Sequence, residues 1–386
     1  MKRRIVSALL TLALSVPCVA QAKTVEFTIG DKTMNTATDY IIESQELLAA
    51  PFIANDRTMV PVRAVSESFG AKVTWVPETR NIFIQSKDKS ITLTVDSAEA
   101  QVNGEKVILD AAPTIVGDIT FVPVRFVTES MGYYVYFASS TSSVLVGDTP
   151  PVGYVNGVPL SREEYAALYL LLSQNNPPDP ETAVASYLVQ CTILSDEAKK
   201  AGIVLSEEEL EALRNKNNYP GLLRGQLALI LEKEVLAFNL VDALKEQASE
   251  NETVKKAYQE TYLCAKHVLI SYESEQAEKT AKDVYRYAKA GTKFDQLIED
   301  FGEDPGMEQN PDGYVFTDGE MVAPFENAVK ALPVGGISQP VESDFGYHVI
   351  MRMPLPEEIP EEILTGLVWN LKVVPLIESA EITETK

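Results

Sequence analysis

The chain repeats itself, and the repeat limits what its first third can become. The run Arg57–Gly70 returns as Ile119–Gly132, 62 residues later, with Val60-Pro61-Val62-Arg63 echoed by Val122-Pro123-Val124-Arg125. Each copy reads as a strand, then a short helix opening near the Pro-Val-Arg step, then a glycine that stops it. A pair of strands follows each copy, Lys72–Trp75 with Ile82–Ile84 and Tyr133–Phe137 with Val144–Val146. Between the copies Ile91–Val95 alternates as a strand should, and Asn103-Gly104 marks a tight hairpin. Residues 23–148 are thus expected to form a duplicated β-rich domain. They contain neither histidine nor cysteine, so the preferred ligands for a tight transition-metal site are missing. Arg63 and Arg125 occupy equivalent positions and read either as ligand contacts or as structural arginines bridging strand and helix.

The first 22 residues stand apart. Lys2-Arg3-Arg4 is a basic leader, Ile5–Val16 is apolar, and Ala20-Gln21-Ala22 supplies a small-x-small cleavage pattern. The apolar run is too short to span a bilayer. A secretory signal cleaved after Ala22 is expected, which places the mature protein outside the cytoplasm, secreted or at the cell surface. Cys18 raises a lipoprotein signal, but Pro17 stands where a small residue belongs and no leucine lies three before it. Loss of Lys2, Arg3 and Arg4 moves the formal net charge from −23 to −26. A surface this acidic repels phosphate backbones and excludes nucleic acid as a partner. Cys191 and Cys264 would remain, either as a pair or as two buried free thiols.

Pro150-Pro151 reads as a linker. Beyond it, residues 152–261 carry an Asn156-Gly157 turn, a capping box of Ser161 with Glu164, and a second of Ser206 with Glu209. A long amphipathic helix is expected over Leu222–Leu244 and another over Glu252–Tyr262. Residues 262–354 form the next segment, and a helical tail, 355–386, closes the chain.

That third segment holds both histidines of the 386-residue chain. His267 lies in Ala265–Ile270 and His348 in Phe345–Ile350, each a short apolar run of buried-strand type. Taken singly, each is a core histidine held by one hydrogen bond. Around them stand Lys266-His267-Val268-Leu269, Asp304-Pro305, Met321 with Phe325, Leu332–Ser338, Pro340-Val341 and Phe345–Ile350. In that order these motifs resemble a parvulin-type peptidyl-prolyl isomerase domain, almost end to end. The helices before it, entered through Val155-Asn156-Gly157, are similar to those of exported foldases of the PrsA and SurA type. Residues 23–148 resemble the domain named after the N-terminal part of copper amine oxidases, found on exported bacterial proteins as a stalk or surface module. The fold class implied is a multidomain α+β chain: a duplicated β-rich stalk, a helical chaperone-like module, and a parvulin domain with a small antiparallel sheet flanked by helices.

The resemblance implies an isomerase of X-Pro bonds that uses no cofactor. It makes His267 and His348 a hydrogen-bonded pair, joined by the Ser343 hydroxyl, with Asp304 near the substrate carbonyl. It puts Met321 and Phe325 in the proline-ring pocket, on one face if the local backbone is helical. The family's Gly-Gly-x-Leu-Gly run is replaced here by Pro311–Phe316, which rebuilds one apolar wall with Tyr314, and Phe345 stands where some relatives carry serine. Glu273 and Glu275 occupy the loop that phosphate-reading relatives make basic, so unphosphorylated X-Pro bonds are the expected substrates. Clients would be unfolded or newly exported polypeptides. Cell-surface or wall contact would fall to residues 23–148, and the tail would return to the helical module. The rival readings are a holdase with an inactive parvulin domain, a surface-binding protein, and a Cys264–His267 hydrolase. The last fails on geometry, since a spacing of three turns strand residues to opposite faces.

Overall fold

A computed structural model describes residues 22–38, 40–173, 178–216, 219–248 and 250–385. The leader and Cys18 lie outside the described residues. The chain divides into two compact units, one of residues 1–242 with 373–386 and one of residues 243–372.

In the first unit the duplication becomes a local two-fold. Strands Arg57–Pro61 and Ile119–Pro123 pair antiparallel with Val60 opposite Val122, Pro61 opposite Phe121 and Met59 opposite Pro123. Equivalent residues of the two copies therefore meet at the axis. Each strand ends in proline and runs straight into a helix, Val62–Ser68 or Val124–Ser130. Val62, Val65, Val124 and Val127 of these helices share a core with Val60 and Val122. Gly70 and Gly132 stop the helices at φ +77° and +91°, a left-handed conformation that a side chain resists. Past the stops the copies diverge. Strands Lys72–Val76 and Asn81–Gln85 enter a five-stranded sheet with Ser90–Thr94, Glu99–Val102 and Glu105–Ile108. Tyr134–Ala138 and Ser143–Gly147 instead join Lys23–Thr28 in a second five-stranded sheet. The Asn103-Gly104 hairpin has both residues at positive φ, as a primed turn requires. Arg63 and Arg125 do not bridge strand and helix. Each pairs one turn along its own helix, with Glu67 at 3.3 Å and Glu129 at 3.2 Å, because the short helix points both side chains into solvent.

The helical part of this unit contains Arg162–Ser173, Pro180–Lys200, Glu207–Lys216 and the first turns of Arg224–Ala248. Both capping boxes close. Glu164 and Glu209 donate their backbone N–H to Ser161 and Ser206 Oγ at 3.0 and 3.2 Å, and their carboxylates accept from the serine N–H groups. These helices share a core with the β-rich region. Ala37, Ala138 and Leu145 pack with Leu223 and Ala228. Glu232 accepts from the Ser140 N–H and hydroxyl and the Ser139 hydroxyl at 2.6–2.9 Å. Glu26, 1% exposed, accepts the Gly225 N–H at 2.6 Å. The prolines at 150 and 151 thus mark a change of architecture between two parts of one compact body. The end of the chain adds a strand, Ile382–Glu384, that pairs with Gly153–Val155. The apolar spacing predicts only helix there, since a three-residue edge strand carries too few positions to show alternation.

The second unit holds a four-stranded antiparallel sheet in the order Tyr314–Phe316, Leu263–Ser271, Gly346–Met353, Val341–Ser343. Helices Ala277–Lys289 and Phe294–Phe301 cover one face, on Val268, Ile270 and Val349. Helix Ala323–Ala331 covers the other, where Phe325 and Val329 meet Ala265, Phe316 and Ile350. Leu364, Leu367 and Val368 of the tail pack with Val254 and Tyr258 of helix Glu252–Thr261. Cys191 and Cys264 are both buried free thiols.

Candidate active site

The register of the sheet assembles the site. Leu269 faces His348 across the central pair, so His267, two residues back on the same strand face, lies diagonal to it. Val341 also faces His348, which puts Ser343 on its other diagonal. On the opposite flank Tyr314 faces Ala265 and is diagonal to His267. Tyr314, His267, His348 and Ser343 therefore form one row across all four strands, on the face that helix Ala323–Ala331 covers. Cys264 falls on the reverse face, donates to the Asp312 carbonyl at 3.7 Å, and is pushed by burial to about 11. It has no path to His267.

The row is hydrogen-bonded end to end. His267 Nδ1 lies 2.9 Å from His348 Nδ1, and His348 Nε2 lies 2.6 Å from Ser343 Oγ, which also accepts the Phe345 N–H at 3.2 Å. At the other end His267 Nε2 meets Asp304 Oδ2 at 2.7 Å. Asp304 comes from the loop before helix Gly306–Gln309, and its Oδ1 accepts the Gly306 N–H at 2.9 Å, the local bond of an Asx turn. Tyr314 donates its hydroxyl to Oδ2 at 2.9 Å.

These contacts fix the protons. Burial raises the Asp304 carboxyl, but bonds from Gly306, His267 and Tyr314 outweigh it and hold the group below the usual carboxylate range. Burial lowers His267, against the pull of Asp304. Burial, then repulsion from His267, lowers His348 to about 4. With Asp304 ionised and both rings neutral, His267 carries its proton on Nε2 and donates to Asp304. His348 carries its proton on Nδ1 and donates to His267, and the Ser343 hydroxyl donates to His348 Nε2. Every proton points toward Asp304.

Phe325 is 3% exposed and stands edge-on to both imidazoles, 5.3 Å from His267 and 5.7 Å from His348 between ring centroids. Met321, half-buried, packs in the same cluster. The two do not share a helix face. The helix begins at Ala323 because Pro324 suits its first turn, and Met321 sits on the bend before it. What holds Met321 is Glu326, which sequence reading passed over. Its buried carboxylate accepts the Gly319 and Met321 N–H groups at 2.7 and 3.0 Å. The only available signal was an acid directly after Pro324-Phe325, facing a glycine-containing loop. Phe345 is 60% exposed and reaches the site through its N–H. Tyr314 reaches inward through its hydroxyl, so it is a polar member of the row as well as an apolar wall. Among the described residues no group of three or more His, Cys, Asp or Glu side chains is arranged to hold a metal ion.

The site lies within a segment of the chain that matches a protein-family model. Residues 267–353 match the model of the PPIC-type PPIASE domain, and residues 41–146 that of the copper amine oxidase N-terminal domain. The foldase protein PrsA of Caldanaerobacter subterraneus subsp. tengcongensis is 26% identical over 251 residues, which cover 57% of this chain and 78% of that protein. Foldase protein PrsA 4 of Bacillus cereus is 35% identical over 132 residues, covering 34% of this chain and 45% of that protein, less than half its length. A crystal structure of peptidylprolyl isomerase PrsA from Bacillus anthracis aligns at 24% identity over 56% of this chain and 93% of that one, with a TM-score of 0.25. The row of Tyr314, His267, His348 and Ser343 therefore sits in a parvulin-type peptidyl-prolyl isomerase domain, which follows a copper amine oxidase N-terminal-like domain along the sequence, in a chain homologous to the PrsA foldases.

Proposed function

We propose that the protein is an exported foldase that isomerises X-Pro bonds in unfolded polypeptides and shields those chains with its helical module. The observation that carries this reading is the unbroken hydrogen-bonded row from Ser343 through His348 and His267 to Asp304, laid beneath Phe325 and Met321.

An X-Pro bond turns slowly because its planar amide is stabilised by resonance that places negative charge on oxygen, with a barrier of roughly 18–20 kcal/mol. Twisting the bond removes that charge. A fixed carboxylate near the carbonyl oxygen disfavours the planar form more than the twisted one, which is catalysis by differential binding. Asp304 is such a group. It is ionised and partly exposed, and three donors stop it from rotating away. The neutral imidazoles hold it in place from behind and spend no proton. Met321 and Phe325 offer the apolar surface for the proline ring, and Phe345 lies open at the rim for the neighbouring residue. The acidic turn with Glu273 and Glu275 favours unphosphorylated chains.

Exchange catalysis on a short Ala-Pro peptide tests the reading. The full chain should accelerate it with no metal or nucleotide added, and Met321→Ala with Phe325→Ala should lower the rate at least tenfold. A phosphoserine-proline peptide should be a poorer substrate than its serine counterpart at low salt. Suppression of client aggregation with no exchange catalysis would replace the isomerase reading with that of a holdase.

A further inference from the structure

The Tyr314 hydroxyl approaches the same Asp304 oxygen that takes the His267 proton, and the backbone has been shaped to admit it. A Cβ on Gly306 would stand 1.9 Å from that hydroxyl oxygen and 3.1 Å from the ring Cζ. Only glycine leaves the space that the hydroxyl fills. Asp304 also borders a groove of about 740 Å³ lined by Glu299, Glu303, Glu308 and Asp312, where the lone cation, Lys266, is already paired with Asp295 at 2.7 Å. Burial favours protonation of Asp304, so its ionised form depends on the donors it accepts from. His267 and Tyr314 are the only side chains among the described residues that supply them, beside the Gly306 N–H.

We propose that Tyr314 is a positioning residue of the isomerase site, whose hydroxyl clamps Asp304 Oδ2 and thereby fixes the proton order of the histidine pair. The proposal rests on the isomerase reading above and adds the group that sets the acid edge of its working range. One proton on Asp304 has a consequence along the whole row. A protonated Asp304 that donates to His267 Nε2 moves the His267 proton to Nδ1, the His348 proton to Nε2, and makes Ser343 Oγ the acceptor. The chain inverts without any heavy atom leaving its place. Tyr314 opposes that inversion because its hydroxyl is a donor that a carboxylate accepts best.

The chain has two histidines, so imidazole nitrogen resonances of the full-length protein report this state without overlap. Tyr314→Phe keeps the ring and removes the hydroxyl. Its histidine transition and the acid limb of its Ala-Pro exchange rate should move together to higher pH. On that limb the rate should fall about threefold or more relative to the parent. Gly306→Ala, which displaces the hydroxyl without removing it, should move the transition in the same direction. An unmoved histidine transition in folded Tyr314→Phe protein overturns the proposal. A parent protein without exchange activity would instead refute the isomerase reading, and the resonances would still decide the role of Tyr314.

Discussion

Ser343→Ala tests the proton chain at its far end. Ser343 is 8% exposed and His348 4% exposed, and the bond between them is 2.6 Å. Alanine leaves His348 Nε2 as a buried acceptor with no donor, a loss of about 1–3 kcal/mol. The second bond of the hydroxyl, from the Phe345 N–H, adds little, because Phe345 is 60% exposed and water can take that place. The net expectation is about 2 kcal/mol, roughly a thirtyfold change in a local opening equilibrium. Native-state hydrogen exchange of the full chain reads it at the amides of strand Gly346–Met353. Ser343→Thr keeps the hydroxyl and should recover most of the protection and of the exchange catalysis. If Ser343→Ala leaves those amides within about 0.5 kcal/mol of the parent, or if threonine rescues nothing, His348 is not held by this bond and the assigned proton order is wrong.

Three further outcomes follow from the same structure. Both histidines are depressed when folded, His348 to about 4, so the unfolded chain binds more protons between that value and 6.5. Stability of the second unit should be full above pH 6.5 and fall as pH drops toward 4, and replacing His348 by glutamine should flatten that slope in denaturant titrations. Gly225→Ala should separate the β-rich region from the helices of its unit. A Cβ there meets Leu145 Cδ1 at 2.7 Å and Glu26 Oε1 at 2.8 Å, so a loss of about 1–3 kcal/mol and new protease cuts near residue 148 are expected; resistance equal to the parent would contradict the packing. Cleavage after Ala22 would turn the Lys23 amide nitrogen, 2.9 Å from Asp148 Oδ1, into an ammonium ion. Asp148→Asn should then destabilise the processed chain more than one retaining Ala22, and equal melting shifts in the two forms would dismiss that ion pair.

The sequence alone determined the elements that local chemistry controls. Asn103-Gly104 and Asn156-Gly157 turn where positive φ is demanded, Ser161 with Glu164 and Ser206 with Glu209 close their boxes, and Gly70 and Gly132 stop their helices. Each is settled within a few residues, so it can be read without the fold. The duplication was equally plain, and with it the β-rich character of residues 23–148. His267, Asp304, Ser343 and His348 were legible as a set through the spaced motifs of one family. Only the tertiary structure decided how they connect. Strand register placed Tyr314 two positions along the face from His267 and turned a pocket wall into a hydrogen-bond donor. Pro324 moved the helix start past Met321 and left Glu326 to hold the loop, a contact across five residues that no periodicity announces. The two copies meet at Val60 and Val122 through pairing across 62 residues, and Glu26 reaches Gly225 across 199. Such contacts depend on which surfaces come together, and a sequence window records only what lies next to what along the chain.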